Sequence, residues 1–473
     1  MSEVLASSRN LKSDRFGFQL LGQKYVWLAM IPFIVAVMYF GYRGLHQWQA
    51  DQANQQQIEE WAQAGIPYDN ASLQKSYLGR THPEGYADWA RALRLSEWGY
   101  RIDTFTRLPM IGGEGELPTV LIPDANIDQW KDNALVASYL KEMQTVVDLV
   151  ERASSHPTPV QFPMHFQGFG TLLPHIQSCR SIARLLALDC EYAYSQNETQ
   201  RALRDLSLMG PTAEAFDSHD VLVGELVIAA VRGIKFRTVR RTLTHCAWDE
   251  PQLEALRELL PPERDITARW RQAITFERAM ALASLGTPGF DLLPGYESRI
   301  MGPTKQNRKI QPSDIQLVRE YYNELIDAAA GDSILQWKKK VAEIEIRLNN
   351  EDPKSIAAMI LPATAQVIDA GIRVEHTRRW TLTAVALRHY HQQNGNWPKK
   401  LSDLSTVGLV FDDYSNLNGE MFGYEVDGQT AYLWKGNEYD SEKNHISPTR
   451  PTEQEDSEQA KKEQLDSYLL ELN

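Results

Sequence analysis

Three charged side chains interrupt an apolar stripe in the last third of the chain. Glu375, Arg378 and Arg379 fall among Val367, Ile372, Leu382 and Val385. On a helix, Glu375 and Arg379 share a face, in the order that favours pairing. Two arginines beside one carboxylate on a core-facing stripe suit an anionic ligand, as in an envelope enzyme or a ligand-binding protein. The same pattern serves as an ion-pair network that ties two helices together. Further on, Asp412, Asp413, Asn416 and Asn418, with Asp427 and Asp440, supply the hard oxygens that calcium requires. Turns use the same residue types.

Other constellations are weaker. His389 and His391 are two residues apart. They point about 200° away from each other on a helix, so they cannot share one ion. His165 and His175 flank a glycine-containing loop and can converge, although no carboxylate pattern accompanies them. The chain contains no HExxH, CxxC, GxSxG or GxxxxGK pattern. Gly168-Phe169-Gly170 lacks the third glycine of a nucleotide fingerprint and reads as a plain loop. Apart from calcium, no cofactor is implied.

The strongest signal in the sequence is not catalytic. Tyr25 to Tyr42, YVWLAMIPFIVAVMYFGY, is a run without charge. As a helix it spans about 27 Å, close to the hydrocarbon thickness of a bilayer. Arg9, Lys12, Arg15 and Lys24 precede it and Arg43 alone follows closely, which predicts a cytoplasmic amino terminus. The expected localisation is a single-pass cell-membrane protein, its bulk extracytoplasmic and periplasmic. The apolar core exceeds that of a cleavable signal peptide, and no small-residue cleavage pattern follows it, so the anchor is read as retained.

Composition narrows the partners. The chain carries 49 basic and 62 acidic residues and a net charge of −13, which argues against nucleic acid as a partner. Three cysteines, Cys179, Cys190 and Cys246, are too few for a disulfide framework. Cys179 and Cys190 on one helix are about 16 Å apart, too far to pair.

The elements that must position these groups are mostly helices. The expected fold is mainly α: one transmembrane helix, an extracytoplasmic array of αα-hairpins, and a small α+β module near the C-terminus. Residues 1–24 form a cytoplasmic tail, 25–42 the span and 43–64 a helical stalk. A helical array follows over 65–285, with Ile176, Cys179, Ile182, Ala183, Leu186 and Cys190 at core spacing in one of its helices. Glycines and prolines make 286–312 a loop, and long helices resume over 313–395, running from near Ser313 to Asn349, with another after Pro353 bending at Pro362. Asn394-Gly395 signals a helix end. Residues 396–440 form a small module whose MFGYEV and QTAYLW runs flank an Asp427-Gly428 hairpin turn. Residues 441–473 read as an acidic, mostly disordered tail, helical near Leu465 to Leu472.

Ala386, Leu387, Tyr390, Gly395, Trp397, Pro398, Leu401 and Leu404, followed by that hairpin, carry a likeness. The pattern resembles a module of bacterial membrane-anchored envelope proteins, and the helix-to-sheet junction of type II secretion pseudopilins. The likeness covers about 60 residues. The anchor lies far upstream of the module, unlike in a pseudopilin, and lacks the flanking glutamate of the processing motif. The resemblance implies a bacterial envelope protein and leaves its activity open. The long helical array, the anchor and the lack of a catalytic motif favour a scaffold or interaction protein with a protein partner in the envelope over an enzyme.

Overall fold

The computed structural model describes residues 52–98, 105–111, 133–173, 175–217, 221–245, 248–262, 266–285, 312–329, 334–351, 364–435 and 469–472, with isolated positions between 38 and 49. The chain is mainly helical, with a small antiparallel sheet near its C-terminus. Tyr25 to Val37, the loop 286–311, Pro362, Cys246, Asp440 and most of the acidic tail lie outside the described residues. Among the described residues no helix is long and apolar enough to cross a membrane.

Helix α1 covers 52–63, α2 Asn70–Leu78, α3 Tyr86–Trp98 and α4 Asn133–Ala153. Each follows from local chemistry. Asp69 caps α2 by accepting from the Ser72 amide, and the Ser72 hydroxyl reciprocates toward the Asp69 amide. Val136, Tyr139, Leu140, Met143, Val147 and Val150 recur at three- and four-residue steps, so α4 buries one stripe. Between α4 and α5 the chain is extended, and Val160, Phe162, Met164 and Phe166 point inward at alternate positions. The Tyr77 hydroxyl closes this segment onto α2, accepting from the Phe162 amide at 2.7 Å and donating to its carbonyl at 3.0 Å.

Helices α5 (Ile176–Ser195), α6 (Thr199–Glu214) and α7 (Leu222–His245) then pack side by side. All six apolar positions expected in α5 are buried. Helix α6 outlasts the QRALRDLSLM run and carries Pro211 inside its last turn. Helix α8 (Glu250–Glu258) starts at a second reciprocal cap, Asp249 with Gln252. These helices build the larger apolar core.

A second core begins with α9 (Ile266–Leu285), which packs against α10 (Pro312–Ala328) across the undescribed loop. A third, smaller cluster joins α9 to α2 and the extended segment through Phe276, Met280, Tyr77 and Phe166. The helices expected between Ser313 and Asn349 are α10 and α11 (Ile334–Glu351).

Helix α12, Thr364–Asn394, joins the cores. Its Val367, Ile368 and Ile372 sit in the second, while Trp380, Val385 and Leu387 sit in the first. It ends as the sequence predicts: Gly395 has φ +67° and its amide donates to the His391 carbonyl. Trp397 folds back so that His391 stacks on its ring at 4.1 Å, and its indole N–H donates to the Gln429 carbonyl at 2.6 Å. Leu401 and Leu404 are buried beneath.

The sheet runs β1 (Gly423–Asp427), β2 (Thr430–Trp434), β3 (Leu469–Leu472), all antiparallel. Two features correct the sequence reading. Asp427 pairs with Thr430, so the two loop residues are Gly428 and Gln429, and the turn sits one residue later than Asp427-Gly428. Gly428 has φ +61°, the left-handed conformation that a first loop position of this kind asks of glycine. The end of the tail, expected as helix, is instead strand β3. Leu470 and Leu472 alternate inward with period two and pair with Leu433 and Ala431.

Candidate functional site

The mid-section of α12 brings the predicted charged trio together. The Glu375 and Arg378 side chains are 5 % and 4 % exposed. Arg378 binds Glu375 with two parallel bonds, Nε to Oε2 at 2.7 Å and Nη2 to Oε1 at 2.8 Å. Its remaining edge donates from Nη1 to the Leu260 carbonyl, 3.0 Å away just beyond α8. Arg379 donates from Nε to Glu375 Oε1 at 2.9 Å and from Nη1 to the Asp412 carbonyl at 2.8 Å. One carboxylate thus accepts three charge-assisted bonds, and its two arginines reach opposite neighbours.

The adjoining face of α12 repeats this task. His376 Nε2 accepts from the Leu417 amide at 3.0 Å. Burial, then the charges of Lys435 and Arg379, push that imidazole down to about 4, so it is neutral and able to accept. The Thr383 hydroxyl donates to the Asp413 carbonyl, and Lys435 Nζ donates to the Thr377 hydroxyl at 2.8 Å. Trp380 is wholly buried, with the Arg240 guanidinium 4.5 Å from its ring centroid and Lys435 Nζ 5.0 Å from it. Arg240 also donates to the Thr381 hydroxyl, which clamps α7 to α12. Chemically this arrangement orients and locks. It fixes the terminal module and α8 to one helix.

The described calcium candidates have local partners. Asp412 is exposed, and Asp413 caps its own 3-10 turn by accepting from the Val410 amide at 3.1 Å. The Asn416 side-chain oxygen accepts from the amides of Asn418 and Glu420. Asp427 closes the hairpin at the far end of β1. Among the described residues no group of three or more His, Cys, Asp or Glu is arranged to hold a metal ion.

The histidines separate too. His389 meets Glu250 Oε1 at 3.3 Å, whereas His391 lies against Trp397. His165 faces solvent, while the half-buried His175 packs 5.1 Å from the Phe162 ring. Gly168 to Gly170 is a loop, held by Asn70 through the Gly168 amide and by Ser284 through the Phe169 amide.

Three polar clusters escaped the sequence reading. Between α5 and α6, the buried Asp189 and Asp205 face Arg201 and Arg204, and Arg204 Nη2 reaches Asp205 Oδ1 at 2.7 Å. Beside them Arg241 pairs with the buried Glu191 at 2.8 Å. Where α1 meets the second core, Arg278 lies 3.8 Å from the Trp61 ring centroid and Arg319 donates to Asn54. Finally, a cleft of about 220 Å³ opens between α3 and α5, lined by Glu97, Gln177, Ser178, Arg180, Ser181 and Arg184. The first cluster left one readable trace. Asp205 occupies the same helical stripe as Ala202, Leu206 and Met209, where a lone acid demands a partner.

No known protein family, curated protein or solved structure matches this chain.

Proposed function

We propose that the protein is a single-pass, membrane-anchored scaffold that presents an extracytoplasmic helical body to a protein partner in the envelope, in a secretion or assembly setting. The observation that carries this reading lies at the exit of the apolar run. Met38, Tyr39, Tyr42, Leu45 and Trp48 are each more than half exposed. Exposed apolar residues in such number ask for a lipid or protein covering. From there the chain leads into α1, whose Trp61 is buried against Arg278 of the body.

Further support comes from where the charges go. The Asp189 and Glu191 networks join α5 to α6 and α7, and the Glu375 network ties α12 to Leu260 and Asp412, which suits a stiff body. The terminal module also offers apolar side chains to solvent, with Val410 63 %, Phe411 48 % and Met421 58 % exposed. These are the positions at which a protein partner is expected.

A photo-crosslinking residue at position 410 or 411, activated in intact cells, tests the role. The expected result is a discrete adduct with an envelope protein, lost when the crosslinker is moved to the buried position 404. Alkaline carbonate extraction tests the anchor, and the protein should stay in the pellet. Release into the supernatant, or no adduct at either exposed position, overturns the proposal.

A further inference from the structure

The cleft between α3 and α5 stands apart from the α12 network and from any surface the scaffold reading uses. Gln177, Arg180, Ser181 and Arg184 are spaced three and four apart, so they form one stripe along α5. Cys179, Ile182, Ala183 and Leu186 are buried on the helix's other side. Across the cleft stands Glu97, near the end of α3, which accepts from the Ser178 hydroxyl.

The charge balance there is unusual for this acidic protein. Neither Arg180 nor Arg184 has a carboxylate partner among the described residues, and Arg180 Nε is buried with no acceptor. A buried guanidinium N–H left unmatched is costly. The first turn of α5 adds the positive end of a 20-residue helix, and its cap residue His175 contributes no side-chain bond. His175 is a titratable neighbour of Glu97, and burial lowers its pKa against the pull of that carboxylate.

We infer that this cleft binds a phosphate monoester, its phosphoryl oxygens taken by Arg180, Arg184 and Ser181. The donor set fits that class. Two guanidinia one turn apart offer parallel N–H pairs, and hydroxyl and amide groups complete a tetrahedral oxyanion. A cleft of about 220 Å³ is several times the ~30 Å³ share of one water, which leaves room for the ester substituent. Glu97 sets selectivity, since its carboxylate repels a dianion from one side and receives hydroxyls of the substituent. The phosphoryl group can belong to a small soluble ester or to a lipid headgroup.

Isothermal titration of the full-length chain in neutral detergent tests this with four probes: inorganic phosphate, glycerol 3-phosphate, dihexanoyl phosphatidic acid and dihexanoyl phosphatidylcholine. Glycerol 3-phosphate or dihexanoyl phosphatidic acid should bind, and phosphatidylcholine should not. Arg180→Gln and Arg184→Gln should each weaken binding at least tenfold, and Glu97→Gln should tighten it. A response to the phosphatidic acid alone assigns the lipid as source; a response to both assigns the soluble group. The melting temperature of each variant, and a partial rescue by Arg184→Lys, separate lost binding from lost folding. Failure of both esters to bind at millimolar concentration overturns the inference, as does binding that survives both arginine substitutions. Neither failure touches the anchor or the partner, which the carbonate and crosslinking experiments address.

Discussion

Glu375→Gln is the sharpest perturbation available, because it removes one charge and almost no volume. On a solvated helix, a carboxylate with an i+3 and an i+4 arginine is worth only about 0.2–0.5 kcal/mol per pair. Here the environment is different. Glu375 and Arg378 are 5 % and 4 % exposed, and the carboxylate accepts from Arg378 Nε, Arg378 Nη2 and Arg379 Nε. A glutamine keeps a single side-chain oxygen and presents two of its own N–H groups to arginines. The Arg378 charge is left buried without its counter-ion, a situation that costs about 3–5 kcal/mol. For a core of this size that corresponds to a drop of roughly 6–20 °C in melting temperature.

The companion variant sharpens the test. Replacing both partners, Glu375→Leu with Arg378→Met, removes the charge along with its counter-charge, so most of the loss should be recovered. Arg379 tolerates this, being 17 % exposed and still bound to the Asp412 carbonyl. Thermal unfolding of the two variants beside the parent supplies the numbers. Hydrogen exchange at the Leu417 amide reports whether the terminal module loosens first. A shift under about 2 °C for Glu375→Gln would mean a solvated cluster in which Arg378 needs no buried counter-ion.

Three further outcomes follow from single contacts. Asp205 is fully buried, and burial together with the charge of Asp189 pushes its carboxyl up to about 8 against the pull of Arg204. The folded chain keeps a proton that the unfolded carboxyl, near 3.9, releases, so this contribution is lost as pH rises from about 4 through about 8. Asp205→Asn should flatten the fall of melting temperature across that window, and an unchanged slope would refute the assignment. Gly168→Ala places a Cβ 2.0 Å from Ser284 Oγ and 2.9 Å from the Met280 carbonyl at φ +56°, and should cost about 1–3 kcal/mol in urea unfolding. Leu472→Ala, at a fully buried end of β3, should cost about 2–5 kcal/mol. A neutral result would return the tail's end to solvent.

What was legible in the sequence is what depends on near neighbours. The α5 stripe, the Gly395 helix end and the fold-back of Trp397 each rest on residues within a turn or two of one another. The misreadings share the opposite property. The end of the tail carries both a helical and an alternating pattern over a few residues, and only its pairing with Leu433 and Ala431, some forty residues earlier, selects the strand. Asp189 and Asp205 are neighbours through the α5–α6 packing, which no local spacing encodes. The α12 trio was visible as a conflict with its stripe, yet its partners Leu260 and Asp412 are supplied by the tertiary fold.

The placement of α12 explains why so much polar chemistry gathers on one helix. Its first turns belong to the core that receives α1, through Trp61 on Arg278 and Asn54 on Arg319. Its last turns belong to the core that holds α5 to α8 and the terminal module. Apolar packing holds a helix shared by two cores through shape alone, because apolar contacts are not directional. Directional bonds add a fixed register. Glu375, His376 and Thr383 bind at fixed lengths to groups on the terminal module or to arginines that reach it, and Arg378 adds Leu260. They sit where the helix passes from one core to the other. Side-chain hydrogen bonds at His376, Arg379 and Thr383 therefore fix the terminal module to the helix that also carries the second core.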